Sequence, residues 1–293
     1  MNDKIAGKFR GTGVKAGLMY GMAEFYGGGA FVIINTFFLV FLTKALGMPA
    51  ALAGAIPMVG KVWDAITDPM MGNITDRTTS RFGPKRLYIL IGGILSAIAF
   101  ILLWTTIPSR STTALFVYYI VIYCLFSTCF TIIMVPYNGL LPDMVDSYDV
   151  RSKFSSLRMI WSTVGAILAG LIPTLMIKDT LNTSMYLKVA VIFGILFGIA
   201  AIVTFAGTWE KVKPPVKTRL RDSFSEASSV FKSRSFIIFI GIYLSGQCAM
   251  DFVSGMAIYY VDDVLRGYDK GYLTMLMGVL LSSQLIGMLI FTP

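Results

Sequence analysis

Long apolar runs separated by short polar links set the plan of this chain. Eight runs each hold enough apolar residues to cross a bilayer: 16–43, 50–72, 87–108, 113–141, 156–177, 185–208, 236–261 and 271–292. Roughly 20 such residues in a helix span the ~30 Å hydrocarbon layer. Polarity does not alternate within the runs, and Gly, Ala, Leu, Ile and Met are frequent in them, which predicts helices rather than the strands of a barrel. The first run begins beside Lys15 and is too long for a cleaved signal peptide. One link differs from the others. From Trp209 to Ser235 it carries Pro214, Pro215, seven Lys or Arg and a serine-rich stretch. It reads as a cytoplasmic linker with a short amphipathic helix.

Composition supports the same plan. Of the 293 residues, 56% are hydrophobic and 14% charged, against about 25% charged in a soluble domain. No soluble fold buries so much apolar side chain beneath so little polar surface. The net charge of +9 would suggest nucleic acid in a soluble protein. Here the basic residues lie between the spans, where they set topology and meet anionic lipid, so the bilayer is the implied partner and nucleic acid is not. With the N-terminus placed in the cytoplasm, seventeen Lys and Arg fall in cytoplasmic segments and six in external ones. That bias predicts a multi-pass membrane protein with both termini in the cytoplasm; the location expected is the plasma membrane, of the bacterial inner-membrane kind.

The chain has no histidine, which removes imidazole acid–base chemistry, zinc HExxH sites and Ser-His-Asp triads together. It has no P-loop and no recognisable nucleophile motif, so an enzyme is not expected. Cys124, Cys129 and Cys248 all lie in apolar runs and suggest no disulfide. Six spans, a long basic link and further spans match a two-bundle carrier with related halves. On that plan residues 1–208 are a six-helix bundle, 209–235 a linker, and 236–293 the first two helices of a second bundle. Four more helices are then expected after Pro293, eight of twelve being present; the alternative is an eight-helix protein.

Most acidic residues lie in links, but Glu24, Asp64, Asp68 and Asp251 lie within spans. A charge at mid-membrane costs a few kcal/mol and usually has a task; the plainer reading is an ion pair between helices. In Gly60–Gly72, Lys61, Asp64 and Asp68 are spaced to share one helix face. Two carboxylates one turn apart repel unless a cation or a proton lies between them, and paired acids supply the oxygen ligands that hard cations take. Lys61 is expected to pair with either acid when the cation is absent. Pro69 frees a carbonyl in the preceding turn as a further ligand. By depth, Glu24, Lys61, Asp64, Asp68 and Arg158 are expected to share one layer, with Asp251 further outward. Glycines 27–29 read equally as close helix packing or as a hinge or backbone-lined pocket. Tyr20, Tyr26, Trp63, Tyr137 and Trp161 are candidates to stack on a sugar ring or to pack.

The link after the second span has Gly72, Asp76, Arg77 and Arg81 in the spacing G-x-x-x-D-R-x-x-x-R, the pattern of the major facilitator superfamily. Asp76 is expected to cap or pair across a helix end there. Together with YGMAE from Tyr20, WDAITDPMMG from Trp63, DRTTSRFG from Asp76 and VPYNGLLPDMVDSYDVRSKFSSLR from Val135 to Arg158, these residues resemble the glycoside–pentoside–hexuronide:cation symporter family, the group of the melibiose carrier. The resemblance covers the whole chain as helices one to eight of twelve. It implies an all-α major-facilitator bundle and coupled uptake of a sugar or glycoside with a cation. It implies that Asp64 and Asp68 bind the cation with help from Thr131, and that Arg158 lines the solute site. Tyr20, Glu24, Lys61 and Asn138 join Arg158 as solute-contact candidates. The chain departs from the melibiose carrier at Met134, where that protein has a further acid, at Gly28, where its first-helix acid falls, and at Asn138, where it has an aromatic ring.

The function expected is cation-coupled symport by alternating access, with sodium or a proton as the coupling cation and no other cofactor. Two alternatives stand beside it. One is a proton-coupled carrier of a lipid or drug-like solute. The other is a membrane sensor or scaffold that uses Lys211–Arg234 as a partner site.

Overall fold

The computed structural model describes residues 13–108, 111–210 and 233–264, with positions 272, 275, 276, 278, 279 and 283. Most of the eighth expected span and nearly all of the basic linker lie outside them. Among the described residues the regular structure is helical, without strands. The first span is built of α1 (Val14–Gly21) and α2 (Ala23–Ile33) and continues through two π-helical turns, Ile34–Phe38 and Phe41–Ala45. There follow α3 (Ala50–Arg77), α4 (Pro84–Leu102), α5 (Thr112–Met144), α6 (Tyr148–Met176), α7 (Thr183–Gly207) and α8 (Arg234–Tyr259), which ends in a third π turn, Tyr260–Val264. Among the described residues six helical stretches are long and apolar enough to cross a membrane. α3 has the length, 28 residues or about 42 Å at 1.5 Å per residue, but its middle carries Lys61, Asp64 and Asp68.

The helices stop where the local chemistry stops them. Pro84 sits at the first turn of α4, where its missing N–H costs nothing. Ser111 caps α5 by accepting from the Ala114 amide, and Asn182 caps α7 by accepting from Ser184. α3 runs five residues past the predicted end of its span, so Gly72, Asp76 and Arg77 are helical. The turn itself is only 78–83 and closes on Gly83 at φ +97. α3 remains continuous through Pro57 and Pro69, although Pro69 leaves the Ala65 carbonyl without its helical donor.

Inside a membrane there is little hydrophobic drive between helices, so close approach at small residues holds the bundle. α2 lies against α6 through glycines on both sides. A methyl on Gly28 would sit 2.6 Å from the Ser162 carbonyl oxygen, and one on Gly165 2.5 Å from the Phe25 carbonyl oxygen. The two readings of residues 27–29 are thereby decided: the stretch is regular helix packed against its neighbour, and the irregular backbone comes later, at the π turns. α4 lies between α5 and α7, with Gly93 against Ala201 and Gly194 against Ile101. α3 packs on α5, where Gly60 admits the Tyr123 ring. Away from these contacts a buried aromatic cluster fills the end of the bundle near the 46–49 loop, with Trp104 stacked on Tyr186 at 5.8 Å and Phe38 and Phe41 around Trp104.

At the opposite end α4 begins under a polar clamp. Glu210, just beyond α7, accepts from the Lys85 amide at 3.0 Å and the Arg86 amide at 3.4 Å, satisfying donors that a helix start leaves open. Lys85 pairs with Asp143 on α5, and Arg86 donates to the Phe205 carbonyl.

Candidate functional site

Three groups of charged side chains lie within the spans, and their arrangement differs from a single layer. The first lies between α3 and α5. Thr131 donates to Asp68 Oδ1 at 2.7 Å. Ser127, one turn earlier on α5 and buried, faces the Asp64 carboxylate. Asp64 Oδ1 is buried and accepts no hydrogen bond among the described residues. Neither acid has an ion-pair partner among them. The result is two carboxylates one turn apart on α3, facing two hydroxyls one turn apart on α5. Trp63, half-exposed beside them, is held by its indole N–H to Thr128 Oγ1 at 2.8 Å.

The second group lies between α2, α5 and α6. Arg158 donates through Nε and Nη2 to Glu24 and through Nη2 to Asn138 Oδ1, and its guanidinium lies 4.7 Å over the Tyr137 ring. The Tyr20 ring lies tilted against Tyr137 at 4.9 Å and is wholly buried. Of the solute-contact candidates, Glu24, Arg158 and Asn138 therefore form one cluster. Tyr20 supports it from behind. Met134 lies beside Glu24 across Gly27. The α5 face carries both groups, with Thr131 and Asn138 about 10 Å apart along the helix axis.

The third group corrects two expectations. Lys61 pairs with neither Asp64 nor Asp68. Its Nζ donates to Asp251 Oδ2 on α8 at 2.7 Å, and Asn35 Nδ2 holds the other oxygen of Asp251 at 2.9 Å. Lys61 sits one turn nearer the 46–49 end of α3 than Asp64, and α8 approaches that end. The nearest counter-charge in space is thus a residue 190 positions away, which helix-face arithmetic within α3 cannot show. The five charges accordingly divide among three groups rather than one layer.

Other candidates fall as follows. Asp76 is exposed in the last turn of α3 and makes no hydrogen bond or ion pair among the described residues, so the expected cap or pairing across the helix end is not made here. The Arg81 guanidinium lies over the Phe82 ring at 4.7 Å. Gly72 faces Val135 at ordinary contact distance. Of the five aromatic residues considered for sugar stacking, Tyr20, Tyr26 and Tyr137 are buried, and the face of Tyr137 is covered by Arg158. Trp63 is the most exposed of the five.

Sequence reasoning missed Ser127, the Asn35–Asp251 contact and the Glu210 clamp. Ser127 had a usable signal, since it precedes Thr131 by one turn on the same face. Asn35, a lone amide in an apolar run, had a weaker one.

A family model described as MFS/sugar transport protein matches residues 19–293. The chain belongs to that family. Its members are transport proteins, not enzymes, in keeping with the missing histidine and nucleophile motifs. The chain is 30% identical over 253 residues to the uncharacterised symporter YnaJ of Bacillus subtilis, a match covering 81% of this chain and 54% of that one. It is 26% identical over 214 residues to the isoprimeverose transporter of Lactiplantibacillus pentosus, covering 69% and 44%. It is 29% identical over 136 residues to sodium-dependent lysophosphatidylcholine symporter 1 of Xenopus tropicalis, covering 46% and 26%. The chain spans about half the length of the YnaJ protein, the relative just named that it matches over the most residues. Membership and the apolar helices together make it an integral, multi-pass membrane protein.

Proposed function

We propose that this protein takes part in cation-coupled symport of a sugar, glycoside or hexuronide by alternating access, with Asp64 and Asp68 as the cation site. The observation that carries this reading is the pair of acids without a basic partner among the described residues, one of whose oxygens is buried and accepts no hydrogen bond among them. Two charges so placed are costly in a membrane and repel each other. A sodium ion or a proton relieves both costs, and Thr131 and Ser127 add neutral oxygens to the carboxylates. Either cation fits this donor set.

The solute site is assigned to Glu24, Arg158 and Asn138. They offer charged donors and acceptors suited to sugar hydroxyls, and Trp63 offers an aromatic face. Tyr20 and Tyr137 orient Arg158 from below. Lys61, tied to Asp251, does not belong to this group in the present arrangement. Gly72, Asp76, Arg77 and Arg81 are assigned to the conformational change, and the N-terminus to the cytoplasm. One cation moving down a 100 mV potential supplies about 2.3 kcal/mol, roughly fiftyfold in solute concentration.

Two of the relatives described above are named symporters and one an isoprimeverose transporter, which favours symport of a sugar. A second reading, a lipid-like solute on the same cation site, is favoured by the relative named for lysophosphatidylcholine. The deciding test is uptake in sealed vesicles of a panel of glycosides, hexuronides and lysophospholipid, under sodium, proton or no gradient. Gradient-driven uptake of a sugar, absent in Asp64→Asn, is the expected result. Full concentrative uptake by that variant overturns the cation site. Uptake of lysophospholipid without sugar competition moves the solute to the second reading.

A further inference from the structure

Lys61, Asn35 and Asp251 are charged or polar residues within spans that the transport reading leaves unused. They do not stand alone. Beside them Thr43 and Tyr259 hydrogen-bond through their hydroxyls, and Lys44 lies 5.3 Å from the Tyr259 ring centre. All of these contacts join the first span or α3 to α8, and all lie toward the 46–49 loop. The backbone is arranged for them. Asn35 lies in the first π turn and Thr43 in the second, while Tyr259 immediately precedes the third. A π turn widens a helix by one residue and re-aims its side chains, and here it turns both toward α8.

Resting on the cation site proposed above, we infer that Asn35, Lys61 and Asp251 form a latch that closes the 46–49 face and ties that closure to cation binding. The link runs through Lys61. It lies on α3 one turn before Asp64, at a separation where side chains meet, about 5–6 Å between Cβ atoms. In the closed arrangement Asp251 holds the ammonium on α8, and the Asp64–Asp68 pair is left without a cationic neighbour among the described residues. When α8 moves away, the freed ammonium has Asp64 as its nearest anion. It then neutralises the site from within and repels an incoming cation. Closure therefore raises cation affinity, and by linkage a bound cation favours closure to the same degree.

This arrangement makes an unusual demand on the two halves of one ion pair. Removing Asp251 leaves Lys61 free to occupy the cation site, so apparent cation affinity falls. Removing Lys61 takes away the internal competitor, so affinity rises. A cross-tie that merely joins two helices would give shifts of one sign.

The test uses the full chain in lipid nanodiscs with Cys124, Cys129 and Cys248 replaced by serine. Thr43→Cys and Tyr259→Cys then report closure through their rate of disulfide formation under a mild oxidant. Sodium chloride is titrated against choline chloride at constant ionic strength, and a parallel series is run in stepped pH. Cross-linking should quicken with one of these cations. Asp251→Asn should raise the half-maximal cation concentration and Lys61→Met should lower it, each by about fivefold, the lower end of usual coupling. Lys61→Arg should behave as the native chain. If Asp251→Asn fails to fold, Asn35→Ala weakens the latch without changing charge and should shift the midpoint in the same direction.

Shifts of equal sign for Lys61→Met and Asp251→Asn, or none, overturn the latch's link to the cation while leaving the cation site intact. No response to sodium or to acid in the native background overturns the link as well. Carbodiimide labelling of Asp64 then separates the two ideas: protection by sodium or by alkaline pH preserves the cation site, and its lack removes that too.

Discussion

Two of the charge groups in the spans are built on opposite rules. Around Arg158 every charge has been answered: Glu24 takes two of its N–H groups, Asn138 accepts a third contact, and the Tyr137 ring lies under the cation. Around Asp64 and Asp68 the answers are withheld. Two neutral hydroxyls face two acids, and the lysine best placed to compensate them is engaged on another helix. The first group is complete without a ligand, so a solute has to bring better hydrogen bonds than those it displaces. On the proposed assignment the second is incomplete until a cation or proton arrives. Completeness suits selection among solutes; incompleteness suits capture of an ion.

The sharpest way to break this comparison is to remove one charge from each group. Arg158→Met leaves Glu24 charged and half-buried and should cost about 3–5 kcal/mol of stability. The double change Arg158→Met with Glu24→Gln should recover most of it, measured by thermal unfolding in detergent. In the acid pair the sign reverses. Asp68→Asn keeps an acceptor for Thr131 and removes a like charge at i, i+4, and should stabilise the cation-free protein by about 0.5 kcal/mol. A large loss of stability from Asp68→Asn would show that a cation or basic group already completes that site.

Next in size is the hydroxyl. Thr131→Val preserves shape and removes the donor to Asp68, a hydrogen bond to a charged group worth about 1.5–3 kcal/mol. Cation affinity should fall about tenfold or more, while Thr131→Ser should retain it. Equal affinities in all three would take Thr131 out of the cation site.

The last prediction concerns Glu210, outside the spans. Burial raises its carboxyl above the ordinary glutamate value, against the amides of Lys85 and Arg86 that lower it. A raised folded value means that the fold favours the protonated form. This contribution is absent well above the folded value, grows as pH falls through it, and is complete below the unfolded value. Glu210→Gln should flatten that part of the pH dependence of unfolding. Glu210→Ala, which removes the cap, should cost about 1 kcal/mol. An unchanged pH profile in the Gln variant would assign the titration to another acid.

Much of this was legible in the sequence. Hydrophobic run length marks a span because a bilayer has one thickness, and seven of the eight expected spans are met by helices among the described residues. Asp64 and Asp68 stood out because acids in apolar runs are costly. The family resemblance pointed to Thr131 and Arg158, and the structure pairs Thr131 with Asp68 and Arg158 with Glu24. Lys61 shows where such reading ends. Its spacing on α3 pointed to Asp64 and Asp68, and spacing within a helix says nothing about a helix arriving from far along the chain. Glycines 27–29 allowed two readings until the Ser162 carbonyl was found where a methyl would have to go.

By itself, the sequence determined that the chain is a bundle of membrane-spanning helices, which helices carry charge, and that α3 carries an acid pair. These are local properties: length, period and composition act on each segment separately. Only the tertiary structure decided which charges are paired. Pairing depends on which helices touch, at what depth and with which face inward, and the close approaches at Gly28, Gly60 and Gly165 together with the π turns at Ile34–Phe38 and Phe41–Ala45 set those relations. Arg158 was thereby given to Glu24, Lys61 to Asp251, and Asp64 and Asp68 to no base among the described residues.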